Sequence, residues 1–334
     1  MLSNYHQFTV DGLKDFESFF IYIPTLPVIS NQKALNVFKR DGSNGHVMVE
    51  IPQFFFKIET SGAVEEWWIR EDAAIGYSKH AAFSRSGIEV DRIYISAYEA
   101  GAGYVSRSGV APVTNMTRAN ARTAIMSKGS GWMPLDAAAV MAVNMLMYIE
   151  YANLNLQDAI AQGNSNGGEE LQAGNSDSMA GHTGRPSGVA DAVAMKWRGL
   201  ENWWGNNWTW VDGLNVNGGA YYFTLNPSKL ADATTTGYTS VGYSAPTSLS
   251  GSYVKTMGLG SLHKFLRMPT AGGGSDSTYY CDSVYTATGW KGAAFGGNYN
   301  LGNACGAASW YIAHDAAAKS ERVGCRLIYL PVNG

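Results

Sequence analysis

The chain has 334 residues and a formal charge of −3, with only 15% of its residues charged and 46% hydrophobic. That length is enough to bury a sizeable core, and the near-neutral charge exerts no general pull on nucleic acid, so disorder and nucleic-acid binding are both disfavoured. With 39 glycines, 19 tyrosines and 10 tryptophans, the composition points to a loop-rich fold pinned by aromatic side chains rather than to a helical bundle.

Residues 1–44 mix short apolar runs with turn formers and close on Asp41-Gly42-Ser43-Asn44-Gly45, which reads as a connecting or oligomerising segment ahead of a domain spanning 45–334. Its opening, MLSNYHQFTVDGLKDF, has no basic stretch followed by an apolar run, so no secretory signal is expected and synthesis in the cytoplasm is implied. From His46 the pattern turns to strands over 47–51, 54–58 and 67–70, with a turn at Ser61-Gly62. A further strand over 92–98 places Ile93, Ile95 and Ala97 on one face and Tyr94, Ser96 and Tyr98 on the other, both suited to burial.

Two helices follow. Thr117 caps the first, which runs to Met126 and is stopped by Gly129. The second has Pro134 in its first turn, and Leu135, Ala138, Met141, Met145 and Ile149 give it the broad apolar face of a buried helix. Its apolar stretch, 137–149, is shorter than the roughly 20 residues of a bilayer span and ends at Glu150, so no membrane insertion is expected.

Beyond it, 163–188 is rich in Gly, Asn, Ser and Asp and reads as loop. The stretch 235–253 is rich in Ser, Thr and Gly, but Tyr238, Tyr243 and Tyr253 argue for ordered loops. A last strand, 323–330, ends at Pro331. Two helices with short antiparallel strands and long loops describe an α+β domain.

Trp203, Trp204, Trp208 and Trp210 lie too close together for one helix face, and buried indoles need N–H partners, so they read as a core plug held by the interleaved Gly205, Asn206, Asn207, Asp212 and Gly213. A sugar-stacking platform is the alternative. Arg326 on the apolar final strand requires a salt bridge inside the fold. Asp212, Asn215 and Asn217 hint at calcium but follow no EF-hand register, so a structural turn is preferred.

Four stretches taken together, GSGWMPLDAAAVMAVNMLMYIEY from Gly129, RGLENWWGNNWTWVDGLNV from Arg198, FGGNYNLGNACGAASWY from Phe295 and VGCRLIYL from Val323, resemble one branch of the C-type lectin fold. That branch is shared by formylglycine-generating enzymes and the variable proteins of diversity-generating retroelements. Upstream, VMVEIPQFFFKI, GYSKHAAF and RIYISAYEA are similar to phage and prophage tail proteins carrying this domain. The resemblance implies a tail-fibre adhesin in the virion, a homotrimer with other tail proteins as neighbours, that binds a host cell-surface protein or glycan and needs no cofactor. A cellular bacterial lectin-like variable protein is the rival reading.

In the variable proteins, adenine-directed mutagenesis randomises the segment that falls here at about 290–322. Its composition fits a binding surface, because small residues such as Gly302, Ala304, Gly306, Ala307 and Ala308 alternate with side chains suited to contact. Trp290, Asn298, Tyr299, Asn300, Asn303, Ser309, Trp310, Tyr311, His314, Asp315, Lys319 and Arg322 are the expected ligand-binding residues, since Tyr and Trp offer large contact area at low entropy cost while Asn and Ser adapt their hydrogen bonds.

The oxidase branch of the resemblance needs a copper-binding pair of cysteines, but Leu301 stands where the first thiol is expected and Cys305 lies one residue short of the second. Cys305 is left as an exposed, oxidisable thiol at most. Cys281, Cys305 and Cys325 match no metal-ligand spacing and cannot all pair within the chain, the six histidines are dispersed, and His314-Asp315 has no serine nucleophile in a suitable turn. No enzymatic activity and no metal are expected.

Overall fold

The computed structural model describes residues 6–10, 20–23, 41, 43, 45–61 and 64–331. Its architecture is mostly β with few helices, built around three multi-stranded sheets. The rest of 1–44, expected as a connecting segment, lies outside the described residues. Its two described pieces pair with the body: His6–Val10 runs parallel to Val64–Arg70, and Phe20–Ile23 is antiparallel to His46–Pro52.

The early strands form as their alternation requires. Phe55–Ser61 and Val64–Arg70 make a hairpin, and Phe56, Ile58, Trp67 and Ile69 turn inward. His46–Pro52 and Arg92–Ser96 pair in a five-stranded antiparallel sheet. The terminal strand Leu327–Tyr329 enters that sheet between Arg92–Ser96 and Trp132–Pro134, so the end of the chain closes the domain from within.

The first helix, Arg118–Met126, opens on Thr117, whose Oγ1 accepts from the Asn120 amide at 3.1 Å. The second, Ala137–Tyr151, is buried at every position from Ala137 to Ile149 and packs against Trp208–Asn217 and the turn Ala81–Phe83. Pro134 does not open it. Pro134 ends the strand Trp132–Pro134, and Asp136 caps the helix, accepting from the Ala139 amide at 2.9 Å. A proline suits a strand end as well as a first turn, and the carboxylate two residues on supplies the stronger cap.

The stretch 235–253 was expected as loops, but Thr239–Ser244 and Ser250–Met257 are strands. They belong to the large sheet, whose order runs Thr239–Ser244, Ala220–Phe223, Trp208–Asn217, Trp290–Phe295, Trp310–Ile312, Ser283–Thr286, Ser250–Met257, Pro269–Gly272. Cross-strand pairing overrides the weak β propensity of Ser and Gly.

Trp208–Asn217 is the axis of the molecule. Trp203, Trp204, Trp208 and Trp210 are all buried, and three of the indoles find acceptors: Trp203 on Asn144 Oδ1 at 2.9 Å, Trp204 on the Ala161 carbonyl at 3.0 Å and Trp210 on the Met116 carbonyl at 3.2 Å. They form the core plug, not a sugar platform. Between them Asn206 does more than turn the chain, because its amide donates to Glu99 Oε2 at 2.5 Å and to the Leu171 carbonyl at 3.1 Å, tying the Gly-rich loop to the sheet. Burial pushes the Glu99 carboxyl up to about 7 against the lowering effect of nearby Arg326.

Arg326 is buried but makes no carboxylate ion pair among the described residues, contrary to the expected salt bridge. Its guanidinium donates to the carbonyls of Ser96 at 2.7 Å, Glu201 at 2.6 Å and Asn202 at 3.1 Å. Three converging carbonyl dipoles satisfy the planar fork as a carboxylate would. Asp212 and Asn215 likewise serve arginines: Arg122 grips Asp212 at 2.6 Å, and Arg118 reaches Asn215 at 2.5 Å across an irregularity between Val211 and Asn215. This is the structural turn, with its oxygens committed to guanidinium groups.

Candidate functional site

The large sheet separates two apolar clusters, and the site grows from the outer one. In Trp310–Ile312, Trp310 and Ile312 enter the main core while Tyr311 faces the other way, as strand alternation demands. The pairing places Tyr285 opposite Tyr311 on one side and Ala294 on the other. Tyr285 and Tyr311 stack with ring centroids 5.2 Å apart, and Trp208 meets Tyr311 edge-on at 5.5 Å. His314 covers the free side of Tyr311 at 4.4 Å. Burial holds the His314 imidazole below its ordinary value, outweighing the opposing pull of Asp315.

A second group adjoins the first through Trp208, whose amide donates to the Arg322 carbonyl at 2.9 Å. The Arg322 guanidinium sits 5.5 Å from the Tyr299 ring centre. With its amide turned so that both ends are satisfied, Asn300 accepts from Arg322 at 3.1 Å. Asn303, on the exposed turn Gly302–Ala304, and Lys319 point to solvent. Asp315 is exposed and takes the Lys291 ammonium at 2.6 Å, while Trp290 lies half-buried 6.4 Å from the Tyr222 ring.

Three of the expected contact residues are interior and are withdrawn. Trp310 and Ser309 are wholly buried, Trp310 because its strand parity drives it into the core beside Phe295 at 5.2 Å. Asn298 is buried too, and works as a turn, its Oδ1 accepting from the Asn300 amide at 2.9 Å. Conversely, Tyr285 belongs to the surface cluster and the buried Trp208 packs against it, and neither was expected there. Tyr285 is brought in by strand pairing across more than 25 residues of sequence and Trp208 by a ring contact across more than 100, which no local pattern reveals.

The main chain of the segment is anchored independently of its side chains. Tyr299 donates to the Asn206 carbonyl at 3.0 Å and accepts from the Gly168 amide at 3.2 Å, and Gly302 donates to the Ser165 carbonyl at 2.7 Å. Gly292 holds the His314 carbonyl at 3.0 Å, and Asn115 the Ser320 carbonyl at 2.8 Å. Gly297, at φ +90°, and Gly306, at φ +146°, lie where a Cβ would strike Cys305 Sγ at 2.4 Å and the Asp282 carboxylate at 2.1 Å, so these positions tolerate no side chain.

Cys305 is not exposed. It is fully buried, its thiol donates to the Asn298 carbonyl at 3.2 Å, and burial pushes its pKa far above the ordinary range, so it is neither an accessible nucleophile nor a ready thiolate ligand. Cys281 and Cys325 are also free and buried. Among the described residues no group of three or more His, Cys, Asp and Glu side chains is placed to hold a metal ion, and no helix is long and apolar enough to cross a membrane.

No family model and no curated protein matches this chain. Among solved structures, one described as the U1 variant of a major tropism determinant is similar over 96% of this chain and 74% of that chain, at 11% identity and a TM-score of 0.35. At that level no residue-by-residue correspondence follows.

Proposed function

We propose that the chain is a non-enzymatic receptor-binding protein on a C-type-lectin-like scaffold, carried as an adhesin on a phage tail and directed at a host cell-surface protein or glycan. One observation carries the reading: Tyr285, Tyr311 and His314 present part-exposed rings on one face of a sheet whose other face is the core. Rigid aromatic area flanked by Asn300, Asn303 and Arg322 is the chemistry of a recognition surface, with anchors for energy and polar groups that adapt.

The anchoring pattern supports diversification of the segment. Main-chain hydrogen bonds depend little on residue identity, so Tyr299, Asn300, Asn303, Tyr311, His314, Asp315, Lys319 and Arg322 can vary while the backbone keeps its path. Trp290 joins as an edge contact. Several copies in a homotrimer would multiply modest contacts by avidity.

The test is adsorption of the purified chain to whole bacterial cells and their outer-membrane fractions, with a Tyr285→Ala/Tyr311→Ala variant alongside. Loss of adsorption by about tenfold or more, with the melting transition still cooperative, is expected for an anchor pair. Undiminished adsorption by the double variant would remove the surface from the proposal. At the genetic level, a neighbouring reverse transcriptase and a template copy differing only at adenines is the expected arrangement; tail genes nearby favour the phage over a cellular setting.

A further inference from the structure

A cavity of about 390 Å³ opens between the strands Phe55–Ser61 and Ser78–Lys79 and the loop at 261–265, using no residue of the 290–322 segment. Its volume falls in the range of small-ligand sites, near the end suited to one or two sugar rings. Three lysines line it, Lys57, Lys79 and Lys264, the Lys57 ammonium lying 4.0 Å over the Trp68 ring, and no acidic residue does.

The charges are unevenly matched. Glu59 stands 3.3 Å from Lys57, and Glu89 stands 2.8 Å from Lys79 and also takes the Ser84 hydroxyl, both carboxylates being more than half exposed. Lys264 donates to the Ile58 carbonyl at 3.4 Å and has no carboxylate partner among the described residues. Three cations against two anions leave one positive charge, which a single carboxylate would neutralise and a doubly charged phosphate would overshoot.

The remaining lining is of two kinds. Leu225 and the edges of the largely buried Phe56 and Phe265 supply apolar surface, the counterpart of the C–H face of a pyranose, while Ser78 and Ser261 bring hydroxyls to the wall and the Ser84 hydroxyl is held by Glu89. His263, also in the wall, packs on Phe223 at 4.5 Å, with its Nε2 turned away from the open space.

We propose that this cavity is a second binding site, separate from the aromatic surface, for a pyranose bearing one carboxylate, a uronic-acid type of sugar. Lys264 pairs with the carboxylate, Ser78 and Ser261 take hydroxyls, and Leu225 with the edges of Phe56 and Phe265 meets the ring. The site does not depend on the receptor-binding reading, because the two share no residue.

Calorimetry and ligand-observed NMR on the full chain, titrated with glucuronate, glucose and inorganic phosphate, test it. Glucuronate is expected to bind about tenfold or more tightly than glucose, with phosphate no better than glucose. Lys264→Met, at an exposed position that leaves the melting temperature unchanged, is expected to weaken glucuronate about tenfold, and Lys264→Arg to restore much of it. Absence of glucuronate binding, phosphate binding as tight as glucuronate, or an unaffected Lys264→Met variant would each overturn the proposal. If Tyr311→Ala abolishes the binding and Lys264→Met does not, the sugar occupies the aromatic surface and the cavity site falls, while the receptor-binding reading gains.

Discussion

Two stretches of this molecule set aromatic side chains among Asn and Gly, and hold them differently. In 203–210 buried side chains add to the main-chain bonds: the indoles of Trp203, Trp204 and Trp210 each reach an acceptor, and Asn206 is bonded to Glu99 and to Leu171. In 298–322 the main chain does the holding, through Tyr299, Gly302, His314 and Ser320, and the rings of Tyr299 and Tyr311 pack on their neighbours at the surface. Where side chains carry the hydrogen bonds, sequence is constrained; where the backbone carries them, it is free.

That contrast is open to direct measurement. Arg326→Met removes the hydrogen bonds to three buried carbonyls and is expected to cost about 3–5 kcal/mol in chemical denaturation; a loss below about 1 kcal/mol would show that the interior does not rely on it. Next comes acid. His80 is buried, and burial, reinforced by Arg85, lowers its pKa to about 3, against an ordinary 6.5 when unfolded. A depressed folded value means its stability contribution is complete above pH 6.5 and drains away as pH falls toward 3. The melting temperature of His80→Phe is therefore expected to fall less over that window than that of the parent, whereas His314→Phe at the half-buried surface position leaves the slope nearly as it was.

Asn144 bridges the two regions, accepting from Trp203 Nε1 at 2.9 Å and donating to the Ala307 carbonyl at 2.7 Å. Asn144→Ala strands both groups, and about 2 kcal/mol of stability is the expected loss. Tyr311→Ala gives up ring contacts at a part-exposed position, for about 1–2 kcal/mol by urea titration, with a larger proportionate effect on adsorption. Asn303→Ala, on the exposed turn, is expected to stay within about 0.5 kcal/mol of the parent. Should Asn303→Ala or Tyr311→Ala destabilise as much as Asn144→Ala, the side chains of the segment would be structural after all.

Local patterns determined a good deal unaided. The alternation of 47–51 and 92–96, the Thr117 cap, the all-round apolar helix before Glu150 and the burial of the clustered tryptophans each follow from a few neighbouring residues, and each is present in the fold. Tertiary structure alone decided the rest. It turned the Ser- and Gly-rich 239–257 into paired strands, gave Arg326 carbonyls in place of a carboxylate, drew Trp310, Ser309, Asn298 and Cys305 inward, and brought Tyr285 and Trp208 beside Tyr311. The reason is one of range: periodicity and capping act within a turn or a strand, whereas which of two strand faces meets water, and which distant partner satisfies a buried charge, is fixed only when sheets close on one another.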